Sequence, residues 1–305
     1  MRCIPDRCCL AVIAALTLPS AAWSADIDFT SAFHEAKASP VGGTIVVSAD
    51  PGDVLVLRQA TVILDGLALL IDAERLRLEG SSTIRAFTPD SEPPKKAGVP
   101  ASVPTPPAQP QAGYSTGGEN GHEGYQGNPG EQGDRGRPAK LVALEVDEIL
   151  GDGSLHVANE GEKGGKGQKG GEGGTGGGGG KGGTAKGGWP SCRGGGGDGG
   201  FGGVGGKGGT GGMGGQGGNG GTIVLSCKAA TSPERITTSV AGGIGGGGGE
   251  RGEPGDGGLG GQGGEGGGRC KGGVTRPKAN PGPHGDPGRT GPDGPVGQVI
   301  TLACP

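Results

Sequence analysis

Catalysis and metal binding leave their marks in the spacing of His, Cys, Asp and Glu, and in this chain those marks are few. The four His, at 34, 122, 156 and 284, stand at no metal-ligand or triad spacing and read as solvated or turn residues. The Gly strings lack the Gly-x-x-x-x-Gly-Lys-[Ser/Thr] order of a phosphate cradle. Asp65, Asp72 and Glu74 are the candidates for paired carboxylates on the short apolar runs of residues 44–87, and Asp65, beside Gly66, reads as a turn residue. No cofactor or metal site is expected. Cys is more telling. Cys3, Cys8 and Cys9 fall in the first 24 residues, leaving Cys192, Cys227, Cys270 and Cys304 without any CxxC spacing that would suggest zinc.

The elements that would position these residues are unusual. Of 305 residues 80 are Gly and 24 Pro, and aromatics make up 3%, so no single apolar core can hold a chain of this length together. Backbone hydrogen bonds and crosslinks must do so instead, which excludes an ordinary globular enzyme. Residues 1–24 carry Arg2 and Arg7, then the apolar run Leu10 to Leu18, then Ala22-Trp23-Ser24, the pattern of a signal peptide cleaved after Ser24. The expected location is secreted, periplasmic or cell-surface. No later stretch is long and apolar enough to span a membrane. Without Arg2, Arg7 and Asp6 the balance is 25 basic to 30 acidic residues, net −5, which argues against general nucleic-acid binding.

Residues 25–87 have normal composition and form the expected N-terminal β-rich domain. Asp28 to Lys37 predicts one helix. Thr44–Ser48, Val54–Leu57, Thr61–Leu64, Leu67–Ile71, Leu76–Leu78 and Thr83–Phe87 predict short strands, read as rungs of a parallel β-solenoid, with a small meander sheet as the alternative. The Pro-rich residues 88–112 read as a stiff linker or as the outgoing arm of a degenerate repeat. Residues 113–305 form a Gly-rich region. Gly118 to Pro138 and Gly282 to Gln298 read Gly-X-Y, whereas 164–184, 196–222 and 242–268 read largely Gly-Gly-X, with Arg251 and Pro254 as lapses. A larger repeat frames these runs. Each copy reads strand, Gly run, Cys-[Arg/Lys]-Gly-Gly, Gly run and a strand ending in Cys, once from Leu155 to Cys227 and again from Thr237 to Cys304. Equivalent positions in the copies predict Cys192–Cys270 and Cys227–Cys304, one of three possible pairings.

A period of three matches the left-handed extended helix of polyproline II and collagen. Two bare ridges in Gly-Gly-X let backbones approach on two sides, as in polyglycine II, so those arms belong inside a bundle and the Gly-X-Y arms at its edges. A trimeric collagen helix and disorder are the competing readings. With its Gly runs and Cys-[Arg/Lys]-Gly-Gly tips, the region 113–304 resembles exported bacterial collagen-like and glycine-rich repeat proteins. The Gly-Gly-X runs are also similar to polyglycine II bundles such as phage tail-fibre tip adhesins and springtail antifreeze proteins. Gly43-Thr-Ile-Val-Val47 faintly resembles β-helix carbohydrate-active proteins, without a matching catalytic set.

The expected fold is therefore mostly β and extended: a short solenoid-like base with Gly-rich arms. Three side-chain rows emerge from the phase. Lys163, Lys166, Lys169, Glu172, Thr175 and Lys181 lie on one arm, and Ile244, Glu250, Glu253, Asp256, Leu259 and Glu265 on another; these read as solvated ridges that can also pair. The third row contains Phe201, Val204 and Met213 and reads as packed against a neighbouring layer or as a contact face. Trp189 beside Cys192 reads as cover for a disulfide or as an exposed contact. The resulting expectation is a secreted, non-enzymatic structural or adhesive protein, with a cell-surface or extracellular glycan or protein as its partner. A monomer is favoured over a trimer. A carbohydrate-active β-solenoid enzyme with Gly-rich decorations is the alternative.

Overall fold

The computed structural model describes residues 25–93, 95, 98–187, 191–226 and 234–302. The expected signal segment 1–24, Trp189, Cys227 and Cys304 lie outside the described residues. The chain begins with strand β1 (Asp26–Asp28) and helix α1 (Phe29–Ala38). Asp28 caps the helix, its carboxylate accepting the Ser31 N–H at 2.9 Å. Phe29 and Phe33, one turn apart, are buried in the core and close that end of the base.

The base is a coil of parallel strands. Strands β2 (Thr44–Ser48), β3 (Val54–Arg58) and β4 (Thr61–Ile63) make the first pass. In the second, β5 (Ala68–Glu79) lies with its first half on β2 and its second half on β3, while β6 (Ser81–Arg85) lies on β4. The third pass repeats this with β7 (Val142–Gly151) on β5 and β8 (Ser154–Ala158) on β6. Two short strands, β9 (Lys186–Gly187) and β10 (Cys192–Gly194), pair away from the base. Strands β11 (Thr222–Leu225) and β12 (Ile236–Ser239) then continue the stack on β7 and β8, and β13 (Gln298–Thr301) ends it on β11. Register places like on like: Ile45, Leu69, Val142 and Ile223 form one buried column, and Val299, next in line, is 43% exposed at the open end. Such columns give a thin apolar core its continuity.

The two runs expected at 67–71 and 76–78 are one continuous strand, β5. Asp72-Ala73-Glu74 looks like a break in sequence, yet the strand runs through it with Ala73 inward and both carboxylates outward, and the inward set moves from odd to even positions between Ala73 and Leu76, where its partner changes from β2 to β3.

Between the end of one pass and the start of the next, the first corner is a short turn at Asp65-Gly66, where both residues have positive φ. The next three corners each hold a pair of long extended arms. The outgoing arms are arm 1 (98–112), arm 3 (159–185) and arm 5 (240–266); the returning arms are arm 2 (116–139), arm 4 (195–221) and arm 6 (271–297). Backbone hydrogen bonds join them at every third residue. Gly121, Gly124 and Gly127 of arm 2 donate to Phe201, Val204 and Lys207 of arm 4 at 2.8–2.9 Å. Arm 4 donates through one glycine ridge to arm 3 and through the other to arm 6, and it accepts from arm 5 as well as arm 2. Arm 3 likewise has four bonded neighbours: arms 1, 2, 4 and 5. The arms thus form two layers, 1-3-5 outgoing and 2-4-6 returning.

Sequence follows position. Arms 3 and 4, with four neighbours each, are Gly-Gly-X arms without Pro; arm 5, with three neighbours, is Gly-Gly-X with the single Pro254; and arms 1, 2 and 6 carry more Pro at the rim, where a missing N–H disturbs no ladder. The close approach is steric as well as electrostatic. A Cβ on Gly203 would overlap the carbonyl oxygen of His122, whereas one on Gly247 would meet nothing within 4 Å.

Candidate functional site

Three places concentrate side chains with chemical potential: the root of the arms, their outer faces and their far tip. At the root, Glu162 opens arm 3 and is 3% exposed. Its carboxylate accepts from Arg137 Nε and Nη2 at 2.9 Å each, from the Arg137 backbone N–H at 2.9 Å and from the Ser91 hydroxyl at 2.6 Å. Burial by itself would push the Glu162 carboxyl up. The Arg137 and Ser91 hydrogen bonds and the Arg137 charge outweigh it and hold the pKa down at about 2. Arg137 also lies 4.8 Å over the Phe87 ring. A cavity of about 120 Å³ adjoins this cluster, lined among others by Arg85, Ser91, Glu160, Glu162 and Lys163.

On the outer face of layer 1-3-5, the charged rows pair from arm to arm. Lys166 meets Glu250 at 2.9 Å, Lys181 meets Glu265 at 3.1 Å and Lys169 lies 3.9 Å from Glu253. These are surface pairs, so each contributes little. On the face of layer 2-4-6, Phe201, Val204 and Met213 are 52%, 41% and 42% exposed. The expectation that this row packs against a neighbouring layer is therefore corrected. Both glycine ridges of arm 4 face other arms, which leaves its third ridge turned to solvent. Phe201 keeps one partner, the Arg276 guanidinium 4.5 Å over its ring, and Arg276 also reaches Asp198 at 3.2 Å.

At the far tip, Cys192 and Cys270 form a disulfide with Cα atoms 5.0 Å apart, as the repeat implied. It joins the turn of arms 3 and 4 to that of arms 5 and 6. Strands β9 and β10 shape the first of these turns. The turn between arms 1 and 2 is tied in by Ser115, whose N–H donates to Thr184 and whose hydroxyl accepts from the Lys186 N–H at 3.1 Å.

Of the sequence-predicted carboxylates Asp65 lies beside the root cluster, its carbonyl 3.5 Å from Arg137 Nη1, whereas Asp72 and Glu74 stand on β5. Asp65 pairs with Lys37 at 2.5 Å in its turn. Asp72 and Glu74 point outward from β5, and the register sets Asp72 beside Glu145 of β7. The His residues stay apart: His156 Nδ1 contacts the Thr237 hydroxyl at 3.0 Å, and His284 lies 3.3 Å from Glu253. Among the described residues no group of three or more His, Cys, Asp or Glu is placed to hold a metal, and no helix is long and apolar enough to cross a membrane. Sequence reading missed Glu162. The available signal was phase: after Asn159, Glu162 and Gln168 are the non-Gly residues on an otherwise Gly ridge of arm 3.

No family model matches the chain, and no curated protein matches it. Among solved structures, the nine polyproline type II helical bundle springtail antifreeze protein from Granisotoma rainieri aligns at 26% identity over 60% of this chain and 96% of that one. The TM-score is 0.08, so the two chains do not superpose as a common fold.

Proposed function

We propose that this is an exported, non-enzymatic structural or adhesive protein, in which a β-solenoid base carries a polyglycine II bundle that holds side chains in fixed rows and a tip at a distance. The observation that carries this reading is the period-three ladder of inter-arm hydrogen bonds beneath uncovered side-chain rows. Such a scaffold repeats every three residues, about 9 Å along a polyproline II-type helix, and spends most of its chain on rigidity rather than on a pocket. The disulfide fits an oxidising compartment. The intrachain ladder favours a monomer over a trimeric collagen helix, because glycines that would face two other chains already face arms of their own.

The test coats the mature chain on beads and measures their retention under flow on neutral polysaccharide, acidic polysaccharide and protein surfaces, with reducing-end release assayed in the same wells. Retention without release is expected; failure to hold to any surface would overturn the reading. A second reading, a carbohydrate-active enzyme, draws on the Asp72–Glu145 pairing on neighbouring passes. Release of reducing ends that vanishes in Asp72→Asn and Glu145→Gln would establish it instead.

A further inference from the structure

The tip differs in charge from the rest of the molecule. Residues 184–187, 191–195 and 266–272, on either side of the disulfide, contain Lys186, Arg193, Arg269 and Lys271 and no Asp or Glu. Elsewhere 23 basic residues face 31 acidic ones. The basic residues are brought together by bonds. Arg193 and Lys271 directly follow the two bonded cysteines, and the Gly196 N–H donates to the Lys271 carbonyl at 2.8 Å. Lys186 sits opposite Gly194 in the β9–β10 pair. All three side chains are on exposed residues, and no ion pair among the described residues engages Lys186, Arg193 or Lys271. By contrast, Lys166, Lys169, Lys181, Lys207, Arg276 and Lys278 along the arms are all paired with carboxylates.

We propose that the tip is a binding site for an acidic polysaccharide, a chain whose carboxylate or sulfate groups span the cations from the two stapled turns. This rests on the adhesive reading above and names its ligand class. Three features of the tip support it. Lys186, Arg193 and Lys271, exposed at the end of an acidic molecule, meet a polyanion end-on while the flanks repel it, so contact is confined to the tip. Arg193 offers the planar fork that takes a carboxylate or sulfate by two bonds. Beside the cations lie Tyr114, 71% exposed, and the hydroxyl groups of Ser115 and Ser191, a face and donors suited to sugar rings.

The experiment measures binding of the mature, disulfide-bonded chain by interferometry to immobilised polygalacturonate and dextran sulfate, with unmodified dextran and phosphatidylglycerol vesicles as comparisons. Binding to the two acidic polymers is expected, weakening at least about tenfold from low to physiological salt. The double variants Arg193→Glu/Lys271→Glu and Arg193→Gln/Lys271→Gln should each lose about tenfold or more, the first more than the second. Arg289→Glu, an exposed charge reversal on arm 6, should stay within about twofold, and a thermal melt of each variant checks that it is folded. Equal loss in Arg289→Glu, binding to vesicles but to neither polymer, or equal binding to unmodified dextran would overturn the tip assignment. In each of those cases bead retention would still stand. No binding to polymers with bead retention preserved sinks the tip assignment alone, and loss of both sinks the adhesive reading with it.

Discussion

Glu162 shows how a single residue fixes the join between base and arms. A carboxylate with its pKa held near 2 against an ordinary 4.5 contributes stability that is complete above about pH 4.5 and is lost as pH falls toward 2. The contribution is about 3 kcal/mol. A melting series across that range should show a steeper acid fall in the wild type than in Glu162→Gln, which starts lower because Arg137 keeps its charge without a partner. Along arm 4, Phe201 and Met213 face solvent, so Phe201→Ser/Met213→Ser should leave the melting temperature within about 2 °C. The same variant should show reduced bead retention if the outer face contributes to contact. Of these residues, Phe201 and Met213 were legible from the phase of the Gly-Gly-X run. Glu162 was not, because its role depends on Arg137, which reaches it from arm 2, and on Ser91, which reaches it from the segment after β6.

Among the elements, the arms are held by bonds that only bare backbones can make. Gly203→Ala places a methyl group against the His122 carbonyl between arms 2 and 4 and should destabilise by about 3 kcal/mol or more. Gly247→Ala, with open space around it, should stay within about 0.5 kcal/mol. Denaturant midpoints for the pair would separate them, and equal effects would mean that the arms do not lie against one another. The period of three, the helix at Asp28 and nearly every strand of the base were readable locally, since each follows from alternation, capping or phase within a few residues. The partners of the arms were not. Gly121 bonds to Phe201 and Gly164 to Ile244, each 80 residues away. That distance is the length of one pass of the coil plus its pair of arms. The small β9–β10 pair at the tip also escaped, because Lys186 and Gly187 carry no strand pattern.

In the whole molecule, the tip disulfide and many weak bonds divide the labour. Cys192 and Cys270 close a loop of 78 residues, which in the chain-entropy account contributes about 4–5 kcal/mol. Cys192→Ser/Cys270→Ser should therefore lower the unfolding midpoint and speed amide exchange first at 184–196 and 266–273. Exchange that accelerates first in the base instead would show that the tip is not where opening begins.

The ladders between arms run across the arm axis, and their rows repeat from root to tip. A load applied at the tip and resisted at the base therefore acts in shear on every row together, rather than prying them apart one after another. Such a rod yields little before it fails, and lengthening it by one triplet per arm would add a further row to share the same force.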